Sequence, residues 1–250
     1  ATFQYSSVTT AGAWSTGGNL NTARSGLGGT GATKDAALAF GGGPPPAPTA
    51  TAITESYNGT SWTEVNDLNS QRAYAAGVGT QTATIAAGGD QYSGVAESWN
   101  GTCWTSVTNE PDASSNYGTA GADNTNALFF GGNAAVPAAN STRYWNGSAW
   151  TALANINTAR GGIAGAGNTY TAALAATGNY SSTRYPNVES FNGTSWTEIT
   201  DVNTARNNAG GVGTQTSALI FGGDIPPFTG ATEEWNGSSW TETTDLSTAK

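Results

Sequence analysis

The chain has 250 residues, of which 35 are Gly, and charged residues make up only 10%. It has no His, no Met and one Cys, which excludes His-based triads, imidazole metal sites, internal disulfides and zinc–thiolate clusters. The net charge of −9 argues against nucleic acid and anionic membrane partners, and no apolar run approaches the roughly 20 residues of a membrane span. Without an initiator Met, the chain is expected to be processed or excised from a longer product.

Self-similarity organises everything from Arg24 onward. Residues 1–23 carry a degenerate copy ending at Trp14, expected to form an extra hairpin that patches the ring seam or docks on another subunit. Trp62 follows Trp14 by 48 residues, and Trp62, Trp104, Trp150, Trp196 and Trp240 recur every 42 to 46 residues. Each of these five closes an aromatic–Asn–Gly–x–x–Trp block, such as Tyr57-Asn58-Gly59-Thr60-Ser61-Trp62. Ten residues after a Trp stands a base, at Arg24, Arg72, Arg160, Arg206 and Lys250, with Ser114 as the exception. An apolar run closed by Gly-Gly follows, and its aliphatic column is Leu38, Ile85, Leu128, Leu174 and Leu219. The copy near 177 lacks the first Gly. Seven residues before a Trp stands Glu55, Glu97, Glu189 or Glu233, with Arg143 as the exception.

A repeat of this period fits propeller blades or helical solenoids, and the local chemistry decides for strands. Gly interrupts every segment and β-branched and aromatic residues dominate. Asn-Gly between apolar stretches predicts a hairpin with a type I′ turn, in which both central residues take positive φ. Each unit therefore reads as four strands: a Gly-rich strand a, an apolar strand b, a strand c leading into Asn-Gly, and a strand d starting at Trp. The prediction is one all-β propeller domain over 1–250. It consists of a partial blade at 1–23 and complete repeats at 24–71, 72–115, 116–159, 160–205 and 206–250. Five or six blade positions are compatible with this count.

The order Arg … apolar–Gly–Gly … Glu-x-Tyr-Asn-Gly … Trp resembles the kelch repeat, the four-stranded blade of kelch β-propellers. The chain is also similar to Gly/Thr/Asn-rich kelch-like arrays found in hypothetical proteins of marine phages and bacteria. The resemblance implies a scaffold or receptor propeller. The distantly related copper-dependent galactose oxidases use imidazole ligands and a Cys beside a Tyr, and this chain has no His. Cys103 replaces Ser61 or Ser195 of other copies and reads as a small turn residue.

No constellation for catalysis emerges, so the expectation is a non-enzyme. Gly26-x-Gly28-x-x-Gly31 matches a dinucleotide fingerprint but precedes no helix. Glu233 and Glu234 are neighbours on a strand and point to opposite faces, which weakens a glycan-hydrolase reading based on Asp and Glu. No cofactor is expected. Asp90 and Asp224, which follow Gly-Gly, are the positions that could hold Ca²⁺. Propeller lectins for fucose hold sugars with Arg, Glu and Trp between blades, so a multivalent lectin is an alternative. The competing expectation pairs each Glu with an Arg of a neighbouring blade.

Specificity is expected in the loops that vary between copies. The b–c and d–a loops share one face, because strands alternate in direction. The b–c loops carry Pro residues together with Tyr92, Tyr180, Arg184, Tyr185 and Phe228, and these are the expected ligand-binding residues. The favoured reading is an extracellular, cell-surface or virion-associated module that recognises a glycan or protein.

Overall fold

In the computed structural model the described residues are 3–8, 10–45, 49–90, 93–134, 139–225 and 228–249. Five four-stranded antiparallel sheets succeed one another about an axis, forming a five-bladed β-propeller with an additional N-terminal hairpin. Strands a to d of blade 1 are Gly28–Thr33, Ala36–Phe40, Thr54–Tyr57 and Trp62–Val65. Those of blade 2 are Ala76–Thr80, Ala83–Ala87, Ala96–Trp99 and Trp104–Val107. Blade 3 has Gly118–Asp123, Asn126–Phe130, Thr142–Trp145 and Trp150–Ala152. Blade 4 has Ala164–Thr169, Ala172–Ala176, Val188–Phe191 and Trp196–Ile199. Blade 5 has Gly210–Thr214, Ser217–Phe221, Thr232–Trp235 and Trp240–Glu242.

Strand d begins at the recurrent Trp in every blade, but the turn before it is not the expected type I′. It is a four-residue connection closed by an aromatic pair, for example Tyr57 opposite Trp62 and Trp99 opposite Trp104. Only the Gly takes positive φ, at 90° for Gly59 and 91° for Gly101. The Asn stays on the ordinary side and uses its side chain instead. Asn58 Oδ1 accepts the N–H groups of Thr60 and Ser61 at 3.0 and 2.9 Å, and Asn100, Asn146, Asn192 and Asn236 do the same in their loops. The amide thus replaces the strained backbone that a two-residue turn requires.

The Gly-Gly pair ends strand b where the next blade's backbone comes close. A Cβ at Gly41 would strike the Arg72 carbonyl, and one at Gly131 the Arg160 carbonyl. The second Gly then bonds across the junction: Gly42 N–H to Arg72 O at 2.9 Å and Gly132 N–H to Arg160 O at 3.0 Å. In blade 4, Thr177 occupies the first position at φ 61°, fully buried and with no partner for its hydroxyl among the described residues.

The core lies between blades. Leu38 and Phe40 of blade 1 pack with Ala86, Trp99 and Trp104 of blade 2, and blades 2–3, 3–4 and 4–5 share similar clusters. Small residues such as Ala86 and Ala175 suit inner strands that converge on the axis, and Trp fits where the blades diverge. Trp62, Trp104, Trp196 and Trp240 are buried, and Trp150 is half-buried.

Candidate functional site

The recurrent Arg and Glu residues come together, but not as an accessible site. Each Glu pairs with the Arg of its own blade, where the sequence suggested a neighbouring blade. Arg24–Glu55 and Arg72–Glu97 each close at 2.8 Å, and Arg160–Glu189 at 2.6 Å. Arg206 lies 3.1 Å from Glu233 but is misaligned for a hydrogen bond. All four carboxylates are fully buried. The pairing stays within a blade because strand c and the d–a loop before strand a of the same repeat meet at one end of the sheet. Burial pulls Arg72 and Arg206 below the ordinary guanidinium value, opposed by Glu97 and Glu233 respectively.

Each carboxylate also organises the loop ahead of its Arg. Glu97 accepts the Asn69 N–H at 2.7 Å, its Nδ2 at 2.8 Å and the Ser70 N–H at 3.2 Å. Asn21, Asn157 and Asn203 bind Glu55, Glu189 and Glu233 in the same way. Asn Nδ2 reaches on to the carbonyl of the blade's Trp, at 2.9 Å for Trp62 and 3.1 Å for Trp104. The sequence signal for this Asn column is the lead-in Asn-Thr-Ala-Arg at 21–24, 157–160 and 203–206, with Asn-Ser-Gln-Arg at 69–72, which alone does not reveal the carboxylate it encloses. Because these carboxylates are fully buried and held by their own blade's loop, a sugar site between blades would need other residues. An open groove between the outer edges of blades 1 and 2 holds about 480 Å³ and is lined by Glu64, Asn66, Trp99 and Thr102.

Blade 3 reverses the polarity of the pair. Pro111 stands in the Asn column and has no N–H to give a carboxylate. The loop supplies its own acid, Glu110, which accepts the N–H groups of Asp112 and Ala113 and the hydroxyl of Tyr117. The base moves to strand c as Arg143, which binds Asp112 Oδ1 at 2.6 Å. Burial holds the Glu110 carboxyl above the usual carboxylate range, against the Tyr117 and backbone hydrogen bonds. Burial, then the Glu110 charge, pushes the Tyr117 phenol far above its usual value. The hydrogen bond that Arg143 donates to Asp112 raises the Arg143 value.

The b–c and d–a loops share one face, tied by bridges between Ser25 and Gly43, Gly161 and Asn179, and Asn207 and Asp224. At its centre five residues in left-handed backbone, Gly26, Tyr74, Asn116, Gly162 and Asn208, take φ of 53 to 62°. They hand one amide bond to the next blade: Tyr74 N–H to Gly26 O at 2.6 Å, Asn116 to Tyr74 at 3.2 Å, Gly162 to Asn116 at 3.0 Å and Asn208 to Gly162 at 2.9 Å. With Leu27, Tyr117 and Ile163 they line an axial mouth of about 350 Å³ bearing no charged side chain.

The described loop residues singled out from sequence lie in the b–c loops of this face, and none of them lines the mouth. Tyr180 and Phe228 are exposed, and Tyr185 is half-buried. Arg184 bridges to blade 5, with Nε to Asn207 Oδ1 at 3.0 Å and to Asp224 O at 2.9 Å, and Nη2 to Asp224 Oδ2 at 3.2 Å. It therefore locks two blades together. Tyr92 lies outside the described residues. Sequence reasoning missed Tyr74, whose exposure follows from its left-handed backbone at the mouth. Asp90 caps Ala73 N–H at 3.0 Å, and among the described residues no group of three or more acidic or thiol side chains is placed to hold a metal ion. No family model matches the chain, and no curated protein matches it.

Proposed function

We propose that the chain is a kelch-type propeller acting as a non-enzymatic binding module, displayed on a cell or virion surface and recognising its ligand through the b–c and d–a loop face. One observation carries this reading. Three of the four large apolar side chains exposed among the described residues, Tyr74, Tyr180 and Phe228, share that face, at 40, 50 and 64% exposure. Exposed aromatics on stiff loops bind at low entropic cost. The mouth that Tyr74 lines offers an aromatic ring beside the amides of Asn116 and Asn208 and no charge, which suits a neutral glycan better than an ionic ligand. A glycan array with the purified chain tests this, alongside Tyr74→Gly and a Tyr180→Ala/Phe228→Ala variant. Binding that is lost in either variant while the fold is kept supports the face. Binding retained in both would overturn it.

A further inference from the structure

Four blade junctions are built alike. On strand a, the residue opposite the aliphatic column of strand b points to the following blade. Val78, Ala120 and Ala166 hold this place and are 4, 4 and 5% exposed. Gly121 and Gly167 of the next blades lie against the first two. The preceding position points back: a Cβ on Gly77 would strike Thr30, one on Gly165 would strike Thr119, and one on Gly211 would strike Gly165.

Between blades 5 and 1 both halves of this junction are uncovered. Val212, the equivalent of Val78, is 51% exposed. Among the described residues, a Cβ on Gly29 would meet only its own blade's Leu38 carbonyl, at 3.7 Å. The amide chain round the mouth also stops here, since among the described residues no bond joins Gly26 N–H to Asn208 O. The outer part of the same seam is filled. Trp14 packs on Phe221 with ring centroids 5.0 Å apart and donates its indole N–H to Thr232 at 3.2 Å. Trp104 treats Phe40 and Thr54 the same way, and Trp196 treats Phe130 and Thr142 so. The N-terminal hairpin thus stands as strands c and d of a further blade, and among the described residues its strand Phe3–Val8 pairs only with Thr10–Thr16.

We propose that this seam is a docking slot for one β-hairpin with the inner-strand pattern of this repeat, borne by a polypeptide segment outside residues 1–250. Its first strand is Gly-rich, to lie on Val212 as Gly121 lies on Val78 and to pass Gly29, and its second is Ala-Leu/Ile-Phe closed by Gly-Gly, to pair with the edge of Phe3–Val8. Four existing junctions show what covers these surfaces. A helix, about 10 Å across, offers no edge hydrogen bonds and exceeds the roughly 4.8 Å strand spacing. The inference is independent of the ligand-binding reading.

The test labels a Cys103→Ser/Val212→Cys chain with a maleimide. Cys103 is exposed, and Ser stands at its place in other copies, so the background is silent. A synthetic peptide of sequence 206–224, the blade 5 inner hairpin, is added, alongside the same peptide with Leu219→Asp and Ile220→Asp. Labelling of the thiol introduced at position 212 is expected to slow about 11-fold at a peptide concentration of ten times Kd, and not with the Asp peptide. The same hairpin joined after Lys250 by a Gly-Ser linker should protect that thiol without added peptide, and should slow amide exchange over residues 3–8. Unchanged labelling with both peptide and fusion overturns the proposal, as does equal protection by the Asp peptide. Concentration-dependent protection of the chain without peptide or fusion also overturns it, because a second copy would then fill the slot.

Discussion

Blades 3 and 4 solve one problem with opposite charges. In blade 4, Arg160 comes from the d–a loop and donates to Glu189 at 2.6 Å, Thr177 O at 2.8 Å and Ala175 O at 3.0 Å. In blade 3 the acid, Glu110, comes from the loop and the base, Arg143, from the strand, with Asp112 and Tyr117 completing the cluster. Both arrangements fix the loop that leads into strand a. Blade 4 does so with a fully buried pair, whereas Arg143 keeps 21% of its side chain exposed. The lesson is that the loop's need for a carboxylate is invariant, and the element from which it comes, strand or loop, is not.

The largest effect that would separate the two blades is loss of the buried acid. Glu189→Ala strands the Arg160 charge and the Asn157 amide, and should cost roughly 3–5 kcal/mol in urea unfolding. Arg143→Ala, acting on a partly exposed pair, should cost about 0.2–1 kcal/mol. Equal costs would mean the two clusters bear equally on stability.

Trp196→Ala should cost roughly 3–5 kcal/mol, because Trp196 is buried against blade 3. Trp150, half-buried, should cost less on the same substitution, and calorimetry of both variants would reveal any inversion of that order. Tyr117→Phe leaves Glu110 without its hydroxyl donor and should cost about 1–3 kcal/mol, with no counterpart in blade 4.

Blade 4 has its own defect in Thr177, a β-branched residue in left-handed backbone with a buried hydroxyl that has no partner among the described residues. Thr177→Gly restores the Gly-Gly of the other blades and should gain roughly 1 kcal/mol, read as a higher urea midpoint. The smallest effect is a pH slope confined to blade 3. The Glu110 value is raised in the fold, so its favourable contribution is present below the unfolded value of about 4.3 and fades as pH rises through the folded one. The stability of the parent chain relative to Glu110→Gln should therefore decline with rising pH over that range. A flat difference would place the carboxyl in an ordinary environment.

Much of this architecture is legible in the sequence. The spacing from Trp62 to Trp240, the aliphatic column Leu38 to Leu219 and the Gly-Gly closures specify four-stranded units. Strand pattern, turn chemistry and burial period are written within ten or so residues of one another. The Asn-Gly turns were placed correctly, although their backbone was not, because a side-chain amide can satisfy the loop as well as a second positive φ can. What the chain alone determined, then, is the blade and its repetition. Tertiary structure decided which Arg each Glu meets, that Pro111 turns the pair around, that Arg184 latches blade 5, and that Tyr74 opens onto the axis. It also decided that the hairpin of Trp14 fills only the outside of the seam. These depend on where distant strands come to rest around the axis, and side chains 25 to 40 residues apart, such as Arg72 and Glu97 or Arg184 and Asp224, acquire partners only when the ring assembles.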